Sequence, residues 1–176
     1  MATPPVCDFG WQAPAFSLPG TDGGTHTLRS VSGTHGTLVM FICNHCPYVL
    51  RQLDRIVADA KALQAEGIGV AAICSNDATR YPGDSFPKMI ELAEDQGFPF
   101  PYLHDESQEV ARAWDAACTP DFFGLAADGT LQYRGQLTGQ DGERALLEAM
   151  KMIAETGQGP RQQVPSRGCS IKWRAA

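Results

Sequence analysis

The feature that most constrains the fold is an apolar run that ends in two cysteines. Residues Leu38–Ile42 read L-V-M-F-I, a run too short to span a membrane and typical of a buried strand. The motif Cys43-Asn44-His45-Cys46 follows at once. Beyond it, apolar residues recur at helical spacing as far as Leu63. The pattern therefore predicts a strand, a C-x-x-C motif and a helix that ends near Gly67.

Two cysteines at this spacing on the first turn of a helix can close a small disulfide ring. We expect Cys43 to be the more exposed sulfur and Cys46 to lie further inside the turn. Unpaired N–H groups, the helix dipole and His45 should all favour a thiolate there. The pKa of Cys43 should therefore fall below the value of ~8.5 for a free thiol, which makes the disulfide more oxidising.

Two other interpretations of the motif compete with redox use. Structural zinc sites of the ribbon type need a second ligand pair, which the sequence lacks. A soft-metal carrier that holds Cu(I) or Zn(II) through Cys43 and Cys46, with His45 or Cys169 added, stays open. Two inert buried cysteines are the other alternative. The strand–C-x-x-C–helix context favours redox chemistry, and no cofactor and no resident metal are expected.

The chain resembles the thioredoxin-like superfamily, and within it the redoxin branch (alkyl hydroperoxide reductase/thiol-specific antioxidant type, peroxiredoxin-like). The resemblance spans about residues 9–155 and implies a thioredoxin-like α/β fold. In that fold a central mixed β-sheet is flanked by helices and carries an N-terminal β-hairpin extension. The segments that carry the resemblance are C-N-H-C-P at Cys43–Pro47, Ser75-Asn76-Asp77, F-P-Y-L at Phe100–Leu103, T-P-D-F-F at Thr119–Phe123 and G-C-S-I-K-W at Gly168–Trp173.

The resemblance also implies a substrate-binding segment at Thr119-Pro120. In thioredoxin-like proteins the matching proline is cis and lies against the two cysteines, and the residue before it offers backbone groups to a disulfide substrate. By sequence alone Pro120 would be taken as trans, because only ~5–6% of X-Pro bonds in folded proteins are cis. Asn44, inside the motif, is assigned to the same substrate-binding set.

The sequence departs from both groups of relatives. When Cys46-Pro47 is aligned with the Cys-Pro of peroxiredoxins, Cys43 occupies the position of their activating Thr. Cys118-Thr119-Pro120 stands where their Arg should arrive, so efficient peroxide reduction is not expected. Thioredoxins have a buried Asp on the preceding strand, whereas residues 38–42 contain no acid. The candidate proton acceptors for Cys46 are Asp77, Asp84 and His45.

Composition limits the class of protein and its partners. The 176 residues fit one thioredoxin-like domain, 1–176, with a core of about 9–155 and a tail of 156–176. A net charge of -6 argues against nucleic acid and anionic membrane surfaces as partners. We expect a cytoplasmic protein without a membrane span, because neither a secretory signal nor a long apolar run is visible. Six cysteines would then be mostly reduced thiols.

Periodicity and turn residues predict the remaining elements. In chain order they are a hairpin of Ala15–Leu18 and Thr25–Leu28 around a D-G-G turn, a polar loop at 30–36, a buried strand at Gly69–Asn76, a helix at 84–96 capped by Asp84 or Ser85 and closed by Gly97, a brief or edge strand at 98–103, a helix at 105–117, a hairpin of Phe122–Leu125 and Leu131–Arg134, and a helix at 142–155.

The leading hypothesis is a thiol–disulfide oxidoreductase in which Cys43 attacks a substrate disulfide and Cys46 resolves the mixed disulfide. Its partners would be protein or small-molecule disulfides and thiols, and a reducing system of the thioredoxin or glutathione type. The alternative is a thiol peroxidase with Cys46 as the peroxidatic cysteine. Cys74 and Cys118 are interpreted as structural, and the role of Cys7 is open. Trp173 could anchor the tail and bring Cys169 to the pair as an extra resolving thiol.

Overall fold

The computed structural model describes residues 1–175. The strands are β1 Ser17–Pro19, β2 Thr25–Thr27, β3 Thr37–Phe41, β4 Gly69–Cys74, β5 Tyr102–His104, β6 Cys118–Thr119, β7 Asp121–Leu125, β8 Leu131–Tyr133 and β9 Cys169–Ser170. The α-helices are α1 Leu28–Val31, α2 Pro47–Leu50, α3 Leu53–Ala65, α4 Phe86–Gln96, α5 Glu109–Ala113 and α6 Ala145–Thr156. No helix among these residues is both long and apolar enough to cross a bilayer.

The central sheet has the strand order β5-β4-β3-β7-β8. Strand β4 runs parallel to β3 and to β5, whereas β7 runs antiparallel to β3 and to β8. This is the mixed sheet that was predicted. Because parallel strands end at the same edge of a sheet, β3 and β4 bring their carboxyl ends side by side. The C-x-x-C motif and the Ser75-Asn76-Asp77 segment meet at that edge.

Both faces of the sheet are covered by apolar side chains. The core on one face contains side chains of α3, α4 and α6, among them Leu63, Met89 and Ile153, together with both cysteines of the motif. The core on the other face contains side chains of β1, α1 and α5, and includes Trp114 and Ile171. The C-x-x-C thiols therefore lie on the face covered by the longest helices.

The N-terminal hairpin and the edge strand are confirmed. Strands β1 and β2 pair antiparallel, with Ser17 opposite Thr27, and Gly23 in the connecting turn adopts a φ of +86°. Strand β5 is three residues long and lies at the edge of the central sheet. The predicted polar loop at 30–36 differs, because the short helix α1 begins before it and is capped by a Thr27–Ser30 capping box.

The helix predicted after the motif is divided into two. Helix α2 ends at Leu50 and α3 begins at Leu53. The side chain of Arg51 donates to the Pro47 carbonyl and that of Gln52 donates to the Tyr48 carbonyl. The Gln52 N–H donates to the Val49 carbonyl and not to the Tyr48 carbonyl, so the helical pattern is interrupted and the helix that follows Cys46 is only four residues long.

The helix predicted at 105–117 is confined to Glu109–Ala113. Gln108 and Asp115 have φ values of +67° and +52°, which a right-handed helix does not allow, so they limit the helix on both sides. The Asp105 carboxylate accepts hydrogen bonds from the backbone N–H groups of Val110 and Ala111. Asp105 thus stabilises the start of α5 from outside it.

The predicted ends of α4 are confirmed. Ser85 is the N-cap, and its side chain accepts a hydrogen bond from the Lys88 N–H. Gly97 closes the helix in the left-handed region at φ +59°. Asp84, the other candidate cap, is fully buried and is directed to the C-x-x-C motif instead.

Candidate redox site

The two cysteines of the motif lie at the carboxyl end of β3 and are both buried. Cys43 is 1% exposed and Cys46 is 0% exposed, so both are buried and the expected difference in exposure is negligible. Thr119 covers both of them. The Cys43 Sγ lies 3.3 Å from Thr119 Oγ1, and the Cys46 Sγ lies 3.3 Å from the Thr119 carbonyl oxygen.

The Thr119-Pro120 peptide bond is cis. The placement implied by the resemblance is therefore confirmed, since the residue before the cis-proline contacts both sulfurs. The backbone of Thr119 already has a partner within the chain. Strand β9 pairs antiparallel with β6, and Cys169 lies opposite Thr119. The role of Thr119 and Pro120 in substrate binding stays a prediction.

Cys169 lies beside Cys46, on the side of the site that faces solvent. It is half-buried and packs against the core cluster that contains Cys43 and Cys46. Its thiol and its backbone N–H both help to lower the pKa of Cys46. The structure thus brings three thiols together, two of them buried and one in contact with solvent.

The pKa of Cys46 is lowered to about 4 from an ordinary value of 9.0. The main cause is a hydrogen bond from the Cys43 thiol, and the donors on Cys169 and Val49 add to it, while burial opposes the shift. The pKa of Cys43 is raised, because its proton is held in the bond to Cys46, because it is buried, and because the Asp84 carboxylate faces it.

This order is the reverse of the one expected from the sequence, which placed the lowered pKa on Cys43. The helix dipole was part of that expectation, but α2 has only four residues and offers a weak dipole. One contact favours a proton on Cys46, namely the Thr119 carbonyl, to which only a thiol can donate. The lowered pKa of Cys46 favours the thiolate on that sulfur in spite of this contact.

His45 and Asp84 form a hydrogen-bonded pair at the mouth of the site. His45 Nδ1 lies 2.7 Å from Asp84 Oδ2, with the imidazole side chain 40% exposed and the carboxylate 0% exposed. The imidazole also stacks on the Tyr81 ring at 6.0 Å between centroids. The Asp84 carboxylate accepts further hydrogen bonds from the Asn44 N–H at 2.8 Å and from Asn76 Nδ2 at 2.9 Å. His45 is thus held by Asp84.

Of the three candidate proton acceptors, the structure brings Asp84 and His45 to Cys43. One ligand-type atom of each of these residues lies within 4.8 Å of the others. Asp77 is occupied elsewhere, since it accepts hydrogen bonds from Thr79. Sequence reasoning could name Asp84 only as one of several acids, because 40 positions separate it from Asn44, which it binds.

The side chain of Asn44 is engaged inside the protein at both ends. Its Oδ1 accepts a hydrogen bond from the Tyr102 hydroxyl at 2.7 Å, and its Nδ2 donates to the Gly83 carbonyl at 3.1 Å. These bonds join the motif to β5 and to the turn before α4. The substrate-binding role assigned to Asn44 stays a prediction.

The set Cys43, His45 and Asp84 is also the group of potential metal ligands that the described residues bring together. The sequence indicated His45 or Cys169 as the added ligand, and it did not indicate Asp84. In the present arrangement the carboxylate already accepts hydrogen bonds from His45, Asn44 and Asn76. A bound ion would have to replace the bond between His45 and Asp84.

A polar groove of about 500 Å³ adjoins the cis-proline. Its lining includes Tyr48, Gln52, Pro120, Thr138, Ser166 and Arg167. The groove therefore reaches from the residues just after the motif to the segment that leads into β9. It offers hydrogen-bonding groups beside the cis-proline.

The other cysteines have raised pKa values. Burial raises the pKa of Cys74 and of Cys118 to about 12, and that of Cys7 to about 11, with nearby carboxylates adding to each shift. The structural role expected for Cys74 and Cys118 agrees with their complete burial.

The fold and the two-cysteine site define a thioredoxin-like protein. The model of the AhpC/TSA family matches residues 9–134, and the chain belongs to that family.

Two solved structures are similar over nearly the whole chain. An uncharacterized conserved protein from Geobacillus kaustophilus is 42% identical with a TM-score of 0.93, and the match covers 100% of this chain and 97% of the other. A hypothetical protein from Sinorhizobium meliloti 1021 is 35% identical with a TM-score of 0.92, and the match covers 99% of both chains.

A Mycobacterium tuberculosis protein that is provisionally named a peroxiredoxin is 25% identical over 123 residues, which are 70% of this chain and 73% of that protein. More distant solved structures, at 20% and 14% identity, share the fold alone. They are a thiol:disulfide interchange protein from Chlorobium tepidum and the thioredoxin domain of a thiol-disulfide oxidoreductase from Bacteroides vulgatus.

Proposed function

We propose that the protein is a thiol–disulfide oxidoreductase in which Cys43 and Cys46 alternate between a dithiol and a disulfide. The observation that supports this most strongly is the contact of Thr119, the residue before the cis-proline, with both sulfurs at 3.3 Å, and the lowered pKa of Cys46 agrees with it. A thiolate beside a second thiol is the arrangement that disulfide exchange requires. Membership of a redoxin family is consistent with this chemistry.

In the proposed reaction the Cys46 thiolate starts the exchange and Cys43 completes it. Cys46 attacks one sulfur of a disulfide and displaces the thiolate of the other sulfur, which leaves Cys46 in a mixed disulfide. Cys43 then loses its proton and attacks the Cys46 sulfur, so the ring closes and the second thiolate leaves. Asp84, which faces Cys43, is the proposed acceptor of that proton. This order of attack reverses the one expected from the sequence.

The proposed partners are disulfide- or thiol-containing proteins and small molecules, with a thioredoxin or glutathione system as the reductant. Such a system would return the disulfide to the dithiol that the reaction needs. A cytoplasmic location, which would supply these reductants, stays a prediction.

A thiol peroxidase is the second candidate, and the lowered pKa of Cys46 favours it. Such a site would also need an arginine to activate peroxide. Arg134 comes from the strand beside β7, but it pairs with the buried Asp121 at 2.8 Å and packs on the Phe123 ring at 4.4 Å. The geometry therefore supports disulfide exchange better than peroxide reduction.

A soft-metal carrier is the third candidate, supported by the proximity of Cys43, His45 and Asp84. Elemental analysis of the purified protein distinguishes it. We expect no stoichiometric metal, whereas copper or zinc that binds tightly and is lost in His45→Ala would favour the carrier.

Parallel assays separate the first two candidates. We would measure turnover with oxidised glutathione and with hydrogen peroxide at equal concentrations, with dithiothreitol as the reductant in both. The proposal predicts that Cys46→Ser abolishes turnover of the disulfide, whereas Cys43→Ser still reacts with it and stops at a disulfide on Cys46. If Cys43→Ser still forms a sulfenic acid on Cys46 as fast as peroxide is added, the protein is a peroxidase.

A further inference from the structure

The tail of the chain occupies the strand edge at which a thioredoxin-like protein would hold its substrate. Cys169 lies opposite Thr119, and Ser170 lies opposite Cys118. Gly168 allows the close approach, because a Cβ on that residue would lie 2.0 Å from the Thr119 carbonyl oxygen. An extended peptide from another molecule therefore cannot pair with Thr119 while β9 is in place.

The residues after β9 hold the tail in this position. Ile171 is 3% exposed and belongs to the core that contains Trp114. The Lys172 N–H donates to Asn76 Oδ1 at 2.9 Å, and its carbonyl accepts from the Asp77 N–H at 2.8 Å and from Gln108 Nε2 at 2.9 Å. Both backbone polar groups of Lys172 are thus satisfied by the domain, so the tail is a fixed part of the site.

The three neighbouring thiols differ in their exposure to solvent. Cys43 and Cys46 are 1% and 0% exposed, whereas Cys169 is only half-buried. An external thiol or disulfide meets Cys169 first. A path to the buried sulfurs that does not pass Cys169 would require the tail to leave the domain.

Resting on the proposed function, we propose that Cys169 is the solvent-facing thiol of a three-sulfur relay, through which external disulfides and thiols exchange with the buried Cys43–Cys46 pair. Cys169 passes its proton to the neighbouring Cys46 thiolate and attacks an external disulfide R–S–S–R. A mixed disulfide forms on Cys169, and the thiolate that leaves takes the proton from Cys46. Cys46 attacks the Cys169 sulfur, so a Cys46–Cys169 disulfide forms and the second thiolate leaves. Cys43 then attacks Cys46, which closes the Cys43–Cys46 disulfide and returns Cys169 to a thiol.

The steps balance as one two-electron exchange. The external disulfide is reduced to two thiols, and the Cys43–Cys46 dithiol is oxidised to a disulfide. In the reverse direction two equivalents of an external thiol reduce the pair through the same Cys46–Cys169 disulfide. Cys169 ends each cycle unchanged, which distinguishes a relay from a resolving cysteine that ends in the stable disulfide.

The first test looks for the relay disulfide directly. Cys43→Ser prevents the final step. When this variant is treated with oxidised glutathione, the Cys46–Cys169 disulfide should therefore accumulate, and peptide mapping identifies it. In Cys43→Ser/Cys169→Ser, glutathione should not form a mixed disulfide with Cys46. If glutathione accumulates on Cys46 in the double variant as fast as the disulfide forms in the single variant, the relay is wrong.

The second test measures the rate at which glutathione reduces the oxidised protein. Cys169→Ser should slow reduction of the Cys43–Cys46 disulfide by about tenfold or more, because direct access to the pair is blocked. Cys7→Ser, which removes another half-buried thiol, should leave the rate unchanged. Equal rates for all three proteins would overturn the relay, and thermal unfolding shows whether Cys169→Ser is folded. If the wild-type protein forms no Cys43–Cys46 disulfide at all, the proposed function itself fails.

Discussion

Cys46 and Cys74 are equally buried and have opposite chemistry. Both are 0% exposed, and both lie at the carboxyl edge of the central sheet, where β3 and β4 end. The pKa of Cys46 is lowered to about 4, whereas the pKa of Cys74 is raised to about 12. Burial alone therefore does not decide whether a cysteine at this edge is reactive.

The difference comes from the groups that face each sulfur. The thiols of Cys43 and Cys169 and nearby backbone N–H groups lower the pKa of Cys46. The pKa of Cys74 is raised mainly by desolvation, and repulsion from the Asp84 carboxylate raises it further. Because donors stabilise a thiolate and apolar surroundings with a nearby acid do not, neighbouring strands carry one reactive and one inert thiol.

The largest expected difference is in turnover, when Cys46 and Cys74 are replaced one at a time. Cys46→Ser should reduce turnover of oxidised glutathione by about a hundredfold or more, because the nucleophile is lost. Cys74→Ala should leave turnover within about twofold, since a structural buried thiol takes no part in exchange. Both are measured with dithiothreitol as the reductant. Equal losses in the two variants, with both folded, would remove the distinction between the thiols.

The next largest effect is expected in the pH at which a thiolate forms in the reduced protein. In the reduced protein, absorbance at 240 nm should show one thiolate that ionises near pH 4, and this transition should be missing in Cys46→Ser. Since the pKa is lowered on folding, the ionised thiol stabilises the reduced protein at neutral pH, and the stabilisation is lost as the pH falls through about 4. A transition near pH 4 that survives in Cys46→Ser would place the thiolate on Cys43.

Asp84→Asn removes the proposed acceptor of the Cys43 proton and should also lower stability. The buried carboxylate accepts hydrogen bonds from His45, Asn44 and Asn76, so its loss should lower the free energy of unfolding by about 1–3 kcal/mol. Asp22→Asn is the matched control, because Asp22 forms a similar pair with His26 at the surface. It should cost less than about 0.5 kcal/mol. Urea unfolding measures both, and similar losses would contradict a special role for burial.

The smallest effect is expected for His45→Ala. Because the imidazole is held by Asp84 and the Cys46 sulfur has other donors, the Cys43–Cys46 equilibrium with glutathione should change by only about two- to fivefold. His26→Ala, in the exposed pair, should not change it. A change of more than about a hundredfold would restore His45 as the main thiolate-stabilising group.

Local patterns in the sequence predicted most of the fold. The strand before Cys43, the parallel strand that ends in Cys74, the hairpin with Gly23 and the cap at Ser85 all depend on neighbouring residues, and each is confirmed. The break between α2 and α3 was missed, because it depends on the backbone hydrogen bond of Gln52 rather than on apolar spacing.

The site was predicted in composition but not in its electrostatics. The motif named Cys43 and Cys46, and the resemblance placed Pro120 against them. Which sulfur carries the lower pKa depends on Cys169 and Asp84, and these reach the site through the fold and not through sequence spacing. No pattern in the chain indicates which of its acids will face a thiol.

The most direct test of the account is a redox titration of the Cys43–Cys46 pair. The protein would be equilibrated in glutathione buffers of defined ratio, alkylated in acid and mapped by mass spectrometry. The account predicts one reversible two-electron transition in which a Cys43–Cys46 disulfide replaces the dithiol while Cys74 and Cys118 stay reduced. If the oxidised protein contains no Cys43–Cys46 link at any ratio, the central claim is wrong.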